Sequence, residues 1–237
     1  MRPFDEILDL AAERHGGLPA LEARLAATAS RTPDEIAATP DDRVLSEMSR
    51  RVFQAGFVWS VIDAKWPGFE AAFDGFDPAA CAMMSEERFD ALLKDQRIVR
   101  NGAKVRSVIR NAQFVRDLAA EYGSAAACFA CWPDDDYVNL LDLIKRRGDR
   151  LGGLSGMRLL RAIGKPAFIT SESVTQALVR EGVVEREPTS RRDLLTVQAA
   201  FNTWCEQSGR DLTTLSRILA MSVGEVWTTS TDGHRPT

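Results

Sequence analysis

Gln54-Ala55-Gly56-Phe57-Val58-Trp59 heads a series of short motifs that continues through Phe76-Asp77-Pro78, Met84-Ser85-Glu86-Glu87, Leu92, Asp95, Ile98-Val99-Arg100-Asn101, Lys104-Val105 and Ile109-Arg110-Asn111-Ala112. Two helices can be read directly from this stretch. Ser85-Glu86-Glu87 starts one that runs to Lys94. Residues 101–121 form a long one, with Val105, Val108, Ile109, Ala112 and Val115 on one stripe and Arg106 and Arg110 off it. Trp59 is open to two readings, since an aromatic after Ala-Gly on a helical segment can be plain core or the wall of a pocket.

Helical signals extend on both sides. Toward the N-terminus, residues 4–14 carry an apolar stripe, Gly16-Gly17 ends it, Pro19 opens a second helix, Thr32-Pro33-Asp34-Glu35 starts a third and Pro40-Asp41-Asp42 a fourth. Toward the C-terminus, helices are expected at 135–146, 155–163, 171–180, 190–207 and 213–221. No stretch alternates with period two long enough to argue for a sheet, so the class is all-α. Residues 185–188 read as a connector and 228–237 as a loose tail, with the whole chain, 1–237, a single helical unit.

At 237 residues the chain can bury a core without disulfides or metal. Its 45% apolar and 27% charged residues exclude disordered and collagen-like classes. No apolar run is long enough to cross a bilayer, and Met1-Arg2-Pro3-Phe4-Asp5-Glu6 has no secretory apolar core. Four cysteines in a chain of this size do not suggest a disulfide framework. These features predict a cytoplasmic protein without membrane contact. The net charge of −4 excludes indiscriminate coating of nucleic acid, so any DNA contact must come from local basic patches.

The motif series resembles the DNA-3-methyladenine glycosylase I family, within the helix–hairpin–helix DNA glycosylases, with the best-matching core at 44–131. A second stretch at 145–175, Arg150-Leu151-Gly152-Gly153-Leu154-Ser155-Gly156-Met157 followed by Pro166-Ala167-Phe168-Ile169-Thr170-Ser171-Glu172, is similar to the DNA-anchoring hairpin of that superfamily. Its glycines suit a turn that brings backbone N–H groups up to a phosphate, although they could equally cap one helix and start the next. The resemblance implies a two-lobed, all-α helix–hairpin–helix glycosylase fold. It implies removal of alkylated purines by base flipping and hydrolysis of the N-glycosidic bond. It further implies a base pocket of Trp59, Gln54, Phe57, Arg51 and Glu47, and DNA contacts from Arg100, Asn101, Lys104, Gly153, Ser155, Gly156 and Arg158. The implied partner is double-stranded DNA with a damaged base, bound by a monomer that needs no cofactor.

Three departures stand out. Arg51 occupies the position where the family has a glutamate that contacts the damaged base; arginine is always cationic and has no acceptor, leaving Glu47, one turn earlier, as a substitute. The family's zinc clasp joins cysteine and histidine from both chain ends, whereas here the cysteines are Cys81, Cys128, Cys131 and Cys205 and the histidines His15 and His234. No metal is therefore expected, Cys128 and Cys131 read as core, and extra helical packing after residue 180 takes the clasp's place. Third, where the wider superfamily has a catalytic aspartate, this chain has Ser171 and then Glu172; Ser171 reads first as a helix cap. Two basic clusters, 97–110 and 145–165, flank the matched elements. Besides the glycosylase, the residues allow a non-catalytic binder of damaged or branched DNA, or a helical protein-interaction domain without DNA.

Overall fold

The computed structural model describes residues 1–224, and these contain helices and no strand. The expected tail at 228–237, with His234, lies outside the described residues. In chain order the helices are α1 (Phe4–Arg14), α2 (Leu18–Ala26), α3 (Pro33–Ala37), α4 (Asp41–Gln54), α5 (Trp59–Ala72), α6 (Pro78–Ala82) and α7 (Glu86–Leu92). They continue with α8 (Gly102–Tyr122), α9 (Ala125–Cys131), α10 (Tyr137–Arg147), α11 (Leu154–Ile163), α12 (Glu172–Arg180), α13 (Arg191–Ser208) and α14 (Leu212–Met221).

Starts follow local chemistry. Thr32 and Glu35 form a reciprocal capping box at α3, and Ser190 with Asp193 another at α13. Ser85, Asn101, Ser171 and Asp211 each accept from a first-turn N–H. Two expected boundaries shift. The helix expected from 135 begins at Tyr137, preceded by a 3₁₀ turn at Asp134–Asp136, and the helix expected to run to Lys94 ends at Leu92. Helix α5 has no counterpart among the helices expected from periodicity. Pro67 interrupts it, and its buried Ile62, Trp66 and Phe69 alternate with exposed Trp59 and Val61, which blurs the stripe.

One continuous buried cluster runs from α1 to α14, and within it the aromatics form two groups. Around α4 and α5, Trp66 stacks on Phe69 (4.9 Å) and Phe76 (5.4 Å), and Phe53 meets Phe69 edge-on at 4.6 Å. Around α10 and α13, Tyr137, Phe168, Phe201 and Trp204 follow one another at 4.7, 4.7 and 5.7 Å. Helix α11 packs on α4 and joins the two groups. The first residues pack on α13: Trp204 lies 6.4 Å from Phe4 and donates its indole N–H to the Arg2 carbonyl, and Gln207 accepts from the Phe4 N–H. This is the helical packing expected after residue 180.

A polar knot holds the first group. Glu70 accepts from Arg43 at 3.0 Å, Ser46 at 2.7 Å and the Trp66 indole at 3.1 Å. Burial pushes its carboxyl up, but the hydrogen bonds from Arg43, Ser46 and Trp66 outweigh it and hold the group below the ordinary value of 4.5. The linked stability is therefore complete above that value and drains as pH falls through the lower folded one. Glu70→Gln is expected to cost about 1–2 kcal/mol at pH 7 and to flatten the acid limb of a stability-versus-pH curve, measured by urea unfolding.

Candidate nucleic-acid interface and base site

Helix α4 ends at Gln54, and residues 55–60 are exposed in the passage into α5. Lys104 of α8 shapes this passage. Its ammonium donates to the Phe53 carbonyl at 3.1 Å and the Ala55 carbonyl at 2.6 Å, the free acceptors at the end of α4. It also lies 4.3 Å from the centre of the Phe57 ring. Burial, with the Arg150 guanidinium beside it, pushes the Lys104 ammonium below its ordinary value.

The result is an exposed apolar rim of Phe57, Val58, Trp59 and Val61. Trp59 is 39% exposed and has two guanidiniums against it, Arg158 of α11 at 4.8 Å and Arg51 of α4 at 5.9 Å. Beside it runs a chain of polar contacts. Arg51 donates to Glu47 at 2.6 Å and to the Gln54 oxygen at 2.9 Å, and the Gln54 amide donates to Asp63 at 3.0 Å. Both ends of the Gln54 amide are matched, which fixes its orientation, and the side chain is only 3% exposed. Glu47 is thus committed to Arg51, with which it forms an ion pair.

Of the residues expected at the base site, Glu47, Arg51, Gln54 and Trp59 are linked by contacts, and Phe57 lies against Lys104. Arg158 belongs with them: it was expected at the DNA-binding surface, but its half-buried guanidinium lies at the tryptophan. Burial, and then Arg51, push it below the ordinary arginine value. Asp63, which anchors Gln54, carries no sequence signal beyond lying one turn after Trp59.

Between α10 and α11 the chain turns through residues 148–153. Asn111 of α8 clamps this turn, donating to the Asp149 carbonyl at 3.0 Å and accepting its N–H at 2.7 Å. The clamp holds Arg150 in the left-handed region at φ 62°, a conformation that costs a side-chain-bearing residue about 1–2 kcal/mol. Gly153 follows at φ 58°, exposed, with open space where a Cβ would project. Ser155 is half-buried in the first turn of α11.

Four of the expected contact residues have other local roles in the structure. Lys104 is buried on backbone carbonyls and is not free for a phosphate. Asn101 spends its amide oxygen capping α8 on the Lys104 N–H. Gly156 is buried inside α11, and a Cβ there would lie 2.6 Å from the Leu151 carbonyl, so its smallness serves helix-to-turn packing and not an exposed backbone. Gly156→Ala is accordingly expected to cost about 1–3 kcal/mol in denaturant unfolding. Arg158, as above, sits at Trp59.

The basic clusters also thin out. Arg97 pairs with Asp95, Arg106 with Glu86, Arg110 with Asp149, Arg146 with Asp142 and Arg147 with Glu121. Lys165 is buried against Asp134, and Arg161, pushed down to about 10 by burial, donates to the Ala167 carbonyl. Arg100, Lys145 and Arg150 are exposed, and among the described residues they have no ion pair. Lys145 lies along the turn, 3.5 Å from where Gly152 would carry a Cβ.

Ser171 caps α12, accepting from the Val174 N–H at 3.4 Å, and Glu172 is exposed beside it. Neither approaches Trp59 through a recorded contact. Thr170 lines a separate cavity of about 190 Å³ with Leu141, Met157, Leu194, Lys145 and Arg191. The residues do not fit a zinc site. No group of three or more His, Cys, Asp or Glu is arranged for a metal among the described residues. Cys128 is buried, and burial pushes its thiol up to about 12. Cys131 is exposed, which corrects its expected place in the core. His15 has both ring nitrogens engaged, by Met221 and Arg24.

The segment that builds this site can be compared with known proteins. The methyladenine glycosylase family model matches residues 37–139. Over these residues the chain is similar to the methyladenine glycosylase family. DNA-3-methyladenine glycosylase 1 of Escherichia coli (strain K12) is 37% identical over 60 residues, 25% of this chain. That match spans about a third of the relative's own length, 32%. A crystal structure of 3-methyladenine DNA glycosylase I aligns over 54% of this chain and 78% of its own, with 22% identity and a TM-score of 0.44. The matched segment carries α4 to α9, with Trp59, Gln54, Arg51 and Lys104, while the turn at 148–153 and Arg158 lie outside it.

Proposed function

We propose that this chain is a DNA N-glycosylase. It would bind duplex DNA as a monomer, turn a damaged purine out of the stack toward Trp59, and hydrolyse its N-glycosidic bond. The observation that carries the reading is the half-exposed Trp59, set on a fixed polar chain from Glu47 to Asp63 and facing α11 just after the clamped turn. A flat, half-exposed aromatic supplies the stacking surface an everted base needs. Exposed Gly153, with the uncapped first turn of α11 behind it, offers backbone N–H groups to a phosphate. Lys145 and Arg150 add charge on the same turn, positioning the duplex without reading its sequence. Alkylated purine is the substrate class suggested by the relatives' names.

The test is base release by the purified full chain from duplexes that each carry one damaged purine, N-methylated or oxidised. Free purine should appear from at least one of them at least tenfold faster than spontaneous loss, and a rate equal to the spontaneous one for all of them removes the enzyme reading. One observation favours a second reading, a non-catalytic binder of damaged or branched DNA: Glu47, the carboxylate nearest the expected glutamate position, is tied to Arg51. That reading predicts damage-dependent binding with no base released.

A further inference from the structure

We propose that the Trp59 site selects an uncharged purine edged with carbonyl oxygens and rejects cationic bases; this rests on the glycosylase reading above and narrows its substrate class. Four side chains set the electrostatics. Arg158 and Arg51 lie against the Trp59 ring at 4.8 and 5.9 Å. Lys104 lies against neighbouring Phe57 at 4.3 Å, with Arg150 beside it. Against these four cations stand two carboxylates, Glu47, which is paired with Arg51, and exposed Asp63, one oxygen of which accepts from the Gln54 amide.

A cationic ring entering here meets a net positive charge, which outweighs the one carboxylate, Asp63, that is not paired with a cation. An aromatic face would ordinarily attract such a ring, but the guanidiniums 4.8 and 5.9 Å from the centre of this one repel a cation while leaving an uncharged ring unopposed. Arg158 has the opposite surplus. It is half-buried, and its five N–H donors have no recorded protein acceptor among the described residues. A planar fork of donors beside a stacking surface matches a ring bearing carbonyl oxygens. A backbone phosphate offers the same acceptor chemistry but nothing to stack on Trp59, so the combination favours a base.

The experiment measures binding of the full chain by fluorescence anisotropy to three duplexes of one sequence. One position carries 8-oxoguanine (uncharged), 7-methylguanine (cationic) or an abasic tetrahydrofuran. The two bases sit on 2′-fluoro sugars, whose glycosidic bonds resist hydrolysis. The expected result is about tenfold tighter binding to 8-oxoguanine than to 7-methylguanine. Arg158→Met, which keeps most of the packing length, should bring that ratio to within twofold. Arg158→Lys keeps the charge but not the fork and should retain part of the preference. If the methionine variant melts early, the lysine variant decides, and an unchanged ratio there overturns the proposal.

Equal affinity for both bases, or a preference for 7-methylguanine, also overturns it. So does equal binding to all three duplexes that falls uniformly in Arg158→Met, which would assign the guanidinium to the backbone. A chain that shows the preference yet releases no base from ordinary-sugar duplexes keeps this inference and loses the glycosylase reading.

Discussion

Trp59→Ala should lower base release from damaged duplex about 10- to 100-fold while moving the melting temperature by no more than a few degrees. The two effects separate because the ring is half-exposed. Its recorded neighbours are the guanidiniums of Arg51 and Arg158, and no core aromatic stacks on it. Stacking of one base on an aromatic side chain contributes about 1–3 kcal/mol, which sets the size of the loss. Truncating an exposed side chain away from the core changes stability by about 0.5 kcal/mol or less. Single-turnover release and a thermal melt on the same preparation check both halves. Retained release with a collapsed melt would make Trp59 structural.

Trp204→Ala should be the most destabilising single change, about 3–5 kcal/mol, and should lower the melting temperature by about 10 °C. Trp204 is fully buried, meets Phe201 edge-on and Phe4 across the helix contact, and bonds the Arg2 carbonyl. Its loss opens a cavity where α1 meets α13 and frees the chain's first residues. A single cooperative transition at lower denaturant is expected, since one continuous core spans both aromatic groups. A two-step transition, with α4 to α9 unfolding unchanged, would show that the C-terminal helices form a separate unit.

The helical class was legible because caps and stripes are local. Thr32, Ser85, Ser171 and Ser190 start their helices where the residues say they should. Helix α5 was hidden by its own task, which is to bury Trp66 and Phe69 on one side while exposing Trp59 and Val61 on the other. At the site, Gln54, Phe57 and Trp59 belong to one motif, so their proximity could be read directly. Arg158 could not be matched to Trp59, because only the packing of α11 on α4 brings them together. The basic clusters misled for a related reason. Glu86, Glu121 and Asp149 lie outside the runs they neutralise, or pair across helices, and a linear charge count does not see such partners. Lys104 reads as a surface cation in sequence, and only the free carbonyls at the end of α4 explain its burial.

The proposed activity is cleavage of N-glycosidic bonds in damaged DNA, and conversion of a single-lesion duplex to an abasic site tests it most directly, with enzyme in excess and the abasic strand cleaved by mild alkali for detection. A lesion-dependent cleavage band is expected for at least one damaged purine, fast in the wild-type chain and strongly slowed in Trp59→Ala. No band above the enzyme-free control for any lesion, despite tight binding to the same duplexes, would contradict it and leave a binder on a glycosylase scaffold.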